Sequence, residues 1–152
     1  MEAMNVGFIF SEDLNSVLLL KKNRPDWQVG FYNGVGGHLT KEEMSKGDWI
    51  YSWIREVKEE VNLDLEYKKV IQIGRIVTND ITVIVYAYRL KRDQEYTMQQ
   101  MTDESPLWVI IKLYDTFQII ENLSFFIPLA RYVLKYQNNL YSSSRIELHY
   151  KS

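Results

Sequence analysis

The stretch GGHLTKEEMSKGDWIYSWIREVKEEVNL at 36–63 constrains this chain more than any other. At about 100° per residue, Ile50, Trp53, Ile54, Val57 and Val61 fall on one narrow stripe, which predicts an amphipathic helix over about 48–61. Glu56, Glu59 and Glu60 fall on the adjacent arc. Like charges one turn apart weaken a helix, so three carboxylates beside a buried stripe need a reason. One reason is a solvated acidic face. The other is a hard divalent cation such as Mg²⁺, which takes oxygen ligands from a few carboxylates. A glycine pair, Gly36-Gly37, precedes the helix, and Arg55 stands beside the first of the three glutamates.

Composition narrows the chemistry further. The chain has 152 residues, enough for one domain with a single sizeable core, here expected to span 1–152. It contains no cysteine, which excludes disulfides, thiol nucleophiles and Cys-based zinc sites. Two histidines, His38 and His149, are too few for most His-rich metal sites. A net charge of −2 gives no basic footprint for nucleic acid, and none is expected as a partner. No run of roughly 18 apolar residues predicts a membrane span. The first residues, MEAMNVGFIFSEDLN, lack a basic leader with an apolar core, so a cytoplasmic location is expected.

Along the chain, 4–10 and 16–22 read as two strands joined by a turn. Residues 23–37 form an ordered, aromatic-rich loop. Further strands are predicted at 66–77, 81–90 and 107–113, and a polar loop at 91–106. Apolar residues at helical spacing mark 120–137, where Pro128 signals a kink or the true helix start. The tail, 138–152, ends in an alternating run able to pair as an edge strand or to fray. Strands, helix, strands and helix in that order predict an α/β fold with a mixed sheet between helices.

The glycine-to-leucine stretch resembles the Nudix box, G-x5-E-x7-R-E-U-x-E-E-x-G-U, where U is a bulky aliphatic residue. Gly37, Glu43, Arg55, Glu56, Val57, Glu59, Glu60 and Leu63 stand at its positions. Two departures are visible. Eleven residues separate Glu43 from Arg55 where the family has seven. With Asp48 as helix cap, the four extra residues are expected to lengthen the loop around Met44–Gly47. Asn62 replaces the last glycine, and Asn is the best substitute in a left-handed helix end. The resemblance covers about 4–137 and implies the Nudix α/β/α sandwich.

It also implies a Mg²⁺-dependent hydrolase, with Mn²⁺ as a substitute, that cleaves a phosphoanhydride in a small nucleotide substrate. Glu56, Glu59 and Glu60 are the implied metal ligands, a backbone carbonyl at Gly36 or Gly37 an additional one, and Glu59 alternatively the residue that orients water. Arg55 is implied to orient a carboxylate. The family often takes a further carboxylate from a remote loop; Asp103 and Glu104 are candidates, with Glu104 preferred. The run Tyr32-Asn33-Gly34-Val35-Gly36-Gly37 is similar to the box-leading segment of enzymes that remove oxidised purine nucleoside triphosphates, where the Asn reads the base. Asn33 is equally a turn residue. Asn122 and Leu123 replace the acidic base-reading residues of those enzymes. Trp27 and Phe126 are candidates for stacking on a base, although core burial is the expectation for both. The favoured reaction converts a nucleoside triphosphate to a monophosphate and pyrophosphate. ADP-ribose or a dinucleoside polyphosphate as substrate, RNA-end processing and a non-catalytic nucleotide sensor remain as alternatives. The assembly is expected to be a monomer or homodimer.

Overall fold

The computed structural model describes residues 1–47, 49–112, 125–137 and 146–150. Strands β1 (Glu2–Phe10) and β2 (Ser16–Lys21) are followed by short strands β3 (Tyr32–Asn33) and β4 (Val35–His38). Helices α1 (Lys41–Lys46) and α2 (Ile50–Val61) come next. Strands β5 (Ile71–Val77) and β6 (Ile81–Arg89), the one-turn helix α3 (Arg92–Glu95) and strand β7 (Ser105–Ile110) lead to helix α4 (Phe126–Tyr136) and strand β8 (Ile146–His149).

The sheet is mixed, with the order β3-β2-β1-β6-β5-β8. β1–β6 and β5–β8 run parallel, while β1 also pairs antiparallel with β4, and β2 with β7. Alternate side chains of a strand face opposite ways, and here both faces are covered. Phe8, Phe10, Leu19, Val85 and Ala87 pack against Phe126, Ile127 and Ala130 of α4. Ile9, Leu18, Leu20, Ile84, Tyr86 and Tyr88 pack with Trp53, Val57 and Val61 of α2. Double burial explains why GFIF, VLLL and VIVYAY read as nearly unbroken apolar runs rather than alternating ones. Each fully buried side chain of this size contributes about 1.5–3 kcal/mol relative to exposure.

Trp53 locks α2 to the sheet. Its ring stacks on Tyr86 with centroids 5.3 Å apart, and its Nε1 donates to the Val35 carbonyl at 2.9 Å. The space it fills exists because residue 7 is glycine: a Cβ there would lie 2.0 Å from the indole. The expected Pro128 lies in the first turn of α4, where its missing N–H has no intrahelical partner to lose. Asn62 ends α2 in the left-handed conformation at φ 58°, and its N–H donates to the Lys58 carbonyl at 3.1 Å. The tail contributes a strand, β8, beside β5.

One local expectation is corrected. Residues Met44–Gly47 do not lengthen a loop. Lys41–Lys46 form helix α1, started by a capping box between Thr40 and Glu43 and ended by Gly47 at φ 71°. T-x-x-E is a helix-start signal, and it was present in the sequence at Thr40–Glu43. Asp48, the expected cap of α2, lies outside the described residues, and α2 follows from Ile50 with Trp49 at its N-cap position.

Candidate active site

The site forms where the β4 glycines meet α2. Gly36 and Gly37 pair with Val6 and Asn5 of β1. A Cβ on Gly36 would collide with the Asn5 carbonyl at 2.1 Å, and one on Gly37 would lie 2.8 Å from the Glu56 carboxylate. The glycines therefore let backbone come close to an acid that any side chain would push away. Asn5 fastens the two elements together. It is buried, its Oδ1 accepts from Gly37 N–H at 3.2 Å, and its Nδ2 donates to the buried Ser52 hydroxyl of α2 at 3.0 Å.

Arg55 organises the outer carboxylates. Its Nε and Nη2 donate to Glu43 at 2.8 and 3.1 Å, Nη1 donates to Glu59 at 2.9 Å, and Nη2 lies 2.9 Å from Glu56. This planar fork matches a carboxylate in a way a lysine cannot. Glu43 also accepts from Thr40 N–H at 2.8 Å as part of the capping box. The Arg55 hydrogen bonds, aided by Thr40 and Ser52, hold the Glu43 carboxyl down to about 2. So the helix inserted ahead of α2 delivers Glu43 to Arg55.

The inner carboxylates are treated differently. Burial pushes Glu56 up, against the pull of Arg55. Burial pushes Glu60 up to about 7, reinforced by Glu56 and Glu104 and opposed by Lys22. Oε2 of Glu60 is buried with no hydrogen-bond partner. Glu104 is only 4% exposed, and Lys22 Nζ lies 3.0 and 2.9 Å from its two oxygens. The chain brings Glu104 here by using the loose end of α2. The N–H groups of Gln99 and Met101 donate to the Val61 and Glu60 carbonyls at 3.0 and 3.1 Å, filling acceptors that a helix end leaves open.

Among the described residues, no three His, Asp or Glu side chains already converge as a cage for an ion. The donor set still fits a hard divalent cation. Glu60 has an oxygen without a donor, Glu56 faces the Gly37 backbone, and Mg²⁺ usually keeps waters and binds through one or two carboxylates plus phosphates.

Solved structures share this architecture. The NUDIX domain of Shewanella oneidensis NrtR, complexed with ADP ribose, matches with a TM-score of 0.69 at 17% identity, covering 87% of this chain and 87% of that one. A MutT from work on Aliivibrio salmonicida and Vibrio cholerae matches with a TM-score of 0.67 at 17% identity, covering 88% and 97%. This chain has the Nudix fold. A bifunctional NMN adenylyltransferase/ADP ribose pyrophosphatase from Francisella tularensis, complexed with AMP and a Mn ion, matches with a TM-score of 0.62 at 13% identity, covering 88% of this chain and 41% of that one. No protein-family model and no curated protein matches the chain.

Within the Nudix frame, the structure gathers Gly37, Arg55, Glu56, Glu60 and Glu104, with Glu59 on the exposed side of Arg55. The neighbouring candidate Asp103 is exposed and paired with Arg24 at 3.1 Å. Asn33 is buried at the end of β3, paired with Leu20 of β2, and its Oδ1 accepts from Gly34 N–H at 2.7 Å. Of the two aromatics expected in the core, one is there and the other is not. Phe126 is fully buried among the residues under α4 and offers no face for stacking, so its candidacy as a base contact falls. Trp27, expected in the core, is 67% exposed on a single 3-10 turn at Asp26–Gln28. Asn122 lies outside the described residues. Sequence reading missed Asn5 and Ser52. The only signal for Asn5 was a polar residue inside an otherwise apolar strand.

Proposed function

We propose that this chain is a Mg²⁺-dependent phosphoanhydride hydrolase acting on a nucleoside diphosphate-linked substrate, and that its substrate is a nucleoside triphosphate cleaved to a monophosphate and pyrophosphate. The observation that carries the reading is the buried Glu60 oxygen that has no donor, set among two further inner acids. Glu56, Glu60 and Glu104 are held inside, with a donorless oxygen on Glu60, beside the glycine backbone. Structural acids are normally given partners. These acids have the arrangement of groups that await a cation and a polyphosphate.

Glu56, Glu60 and the Gly37 carbonyl would hold the cation, with Mn²⁺ able to replace Mg²⁺. A bound divalent cation neutralises phosphate oxygens and activates water as a nucleophile. Arg55 keeps Glu56 and Glu59 at fixed positions through the fork it shares with Glu43. Glu59 reaches solvent and would orient the attacking water or take its proton; Glu104 would take this part if Glu59 serves as a ligand. Trp27 offers an exposed ring to a base, a contact worth about 1–3 kcal/mol. Asn33 would read the base, as the resemblance implies for the Asn of its run.

The test is a panel of nucleotides incubated with Mg²⁺, with products separated by chromatography. Monophosphate plus pyrophosphate from a triphosphate supports the proposal. Orthophosphate plus diphosphate, or turnover that persists in excess chelator, refutes it. A second reading, ADP-ribose as substrate, is favoured by the ADP ribose named with two of the similar structures. A strong preference for ADP-ribose over every triphosphate would establish it instead.

A further inference from the structure

We infer that Lys22 is a built-in counter-cation that competes with the divalent ion for Glu104, so that metal loading releases the Lys22 ammonium toward the phosphates of the substrate. The inference rests on the proposed metal-dependent reading. Lys22 follows β2 directly and Glu104 precedes β7, and the ladder pairs Lys21 with Ser105. This register places the two side chains together at the end of the sheet that faces the last turn of α2. Lys22 Nζ lies 3.0 and 2.9 Å from the two Glu104 oxygens, and both side chains are largely shielded from water.

Such a pair has no stabilising logic of its own. Taking a lysine and a glutamate out of water costs several kcal/mol per ion, and the attraction between them often does no more than offset that cost. The exposed pair two residues on, Arg24–Asp103, shows that the same two segments can be joined without burial. What the buried pair does is fix the Glu104 carboxyl near Glu60, whose Oε2 has no donor. A divalent cation bound there would supply the same neutralisation with twice the charge. Lys22 spans both Glu104 oxygens, so a divalent cation that takes either one displaces an ammonium contact. An ammonium released on a flexible four-carbon stem is suited to a phosphate oxygen.

The experiment measures Mn²⁺ affinity by electron paramagnetic resonance in the full chain, its K22M and E104Q variants, and the double variant. K22M should bind Mn²⁺ about tenfold more tightly, a coupling ordinary for side chains in one ion-pair network. The gain should vanish in the E104Q background, because the competition is for that carboxylate. In turnover, K22M should raise KM for the nucleotide while its metal requirement falls, a pair of opposite shifts that a merely structural lysine would not produce. Metal-free K22M should melt at lower temperature and recover with Mn²⁺. If K22M fails to fold, K22Q carries the same measurements. Unchanged or weaker Mn²⁺ binding in K22M overturns the inference, and so does a gain that persists with E104Q, which would mark a general field effect. Absence of Mn²⁺ binding in the unaltered protein would instead overturn the metal-dependent reading itself.

Discussion

The carboxylates on the two sides of Arg55 live in opposite conditions. On the outer side, Glu43 accepts from Arg55 and Thr40 and is held down to about 2. On the inner side, Glu60 keeps a buried oxygen with no donor and is pushed up to about 7. Both belong to one short acidic stretch of sequence. The outer acid is framework: its charge is already satisfied by side chains, and it fixes Arg55. Of the inner acids, Glu56 and Glu104 each meet one basic side chain, and Glu60 keeps an oxygen that is open to a group from outside the chain.

The sharpest way to break this contrast is to neutralise each side in turn. Glu56→Gln and Glu60→Gln should each lower kcat by roughly 10²-fold or more, the scale for removing a group that acts on charge in the transition state. Their metal-free thermal stability should hold or rise, since burial of an acid and repulsion between neighbours are both relieved. Near-normal turnover in both variants would show that the inner acids do not act in the reaction.

Acidity separates the sides without mutation beyond one control. Glu60 has a folded value of about 7, above its ordinary 4.5. Its stabilising contribution is therefore complete below about 4.5 and is lost as pH rises through about 7. Glu43 behaves oppositely: its contribution is present above 4.5 and lost as pH falls toward about 2. Metal-free unfolding free energy should thus decline between pH 4.5 and 7 by about 3 kcal/mol at most from Glu60. Glu60→Gln should flatten that decline, and saturating Mg²⁺ should reverse it by favouring the ionised form. Denaturant titrations at several pH values read this directly. A Glu60→Gln profile that keeps the full slope would place the effect elsewhere.

Legibility in the sequence follows the same division. Periodic burial is local information, so both helices that cover the sheet and most of the strands could be read from apolar spacing. The helix acids could be read because one turn of helix relates them. Helix α1 was legible in principle, through Thr40 and Glu43, but the eleven-residue separation drew attention to a longer loop instead. What was not legible is whatever long-range packing decides. Asn5 reaches Ser52 across 47 positions, and Lys22 reaches Glu104 across 82. Trp27 and Phe126 are both aromatic, yet one stands exposed on a 3-10 turn and the other is buried in α4 against the sheet.

The join between the two sides is a third target. Asn5→Ala removes the acceptor of Gly37 N–H and the donor to Ser52. Leaving buried polar groups unmatched costs about 1–3 kcal/mol. The expected result is a lower melting temperature together with weaker Mn²⁺ binding, because the glycine backbone is no longer pinned to α2. Asn5→Asp keeps the acceptor and loses the donor, so it should recover part of the effect. Equal loss of stability with unchanged Mn²⁺ affinity would make Asn5 a purely structural residue.

The smallest expected effect comes from the residue beside Glu104. Asp103 and Glu104 are adjacent in sequence, both acidic, and both paired with a basic residue of the segment after β2. Sequence alone could not choose between them with physical grounds. The difference is solvent. Asp103 and Arg24 are both exposed, and an exposed ion pair gains little over its separate hydration, about 0–1 kcal/mol. Asp103→Asn should therefore leave melting temperature and kcat/KM close to those of the unaltered chain, and what little it changes should fade with added salt. Glu104→Gln, one residue along, leaves Lys22 shielded from water without its partner and strips an acid from the inner group. It should cost both stability and metal affinity, and added salt should not erase the loss. The comparison fails if Asp103→Asn impairs turnover as much as Glu104→Gln does, because burial would then no longer separate an acid that acts from one that only faces water.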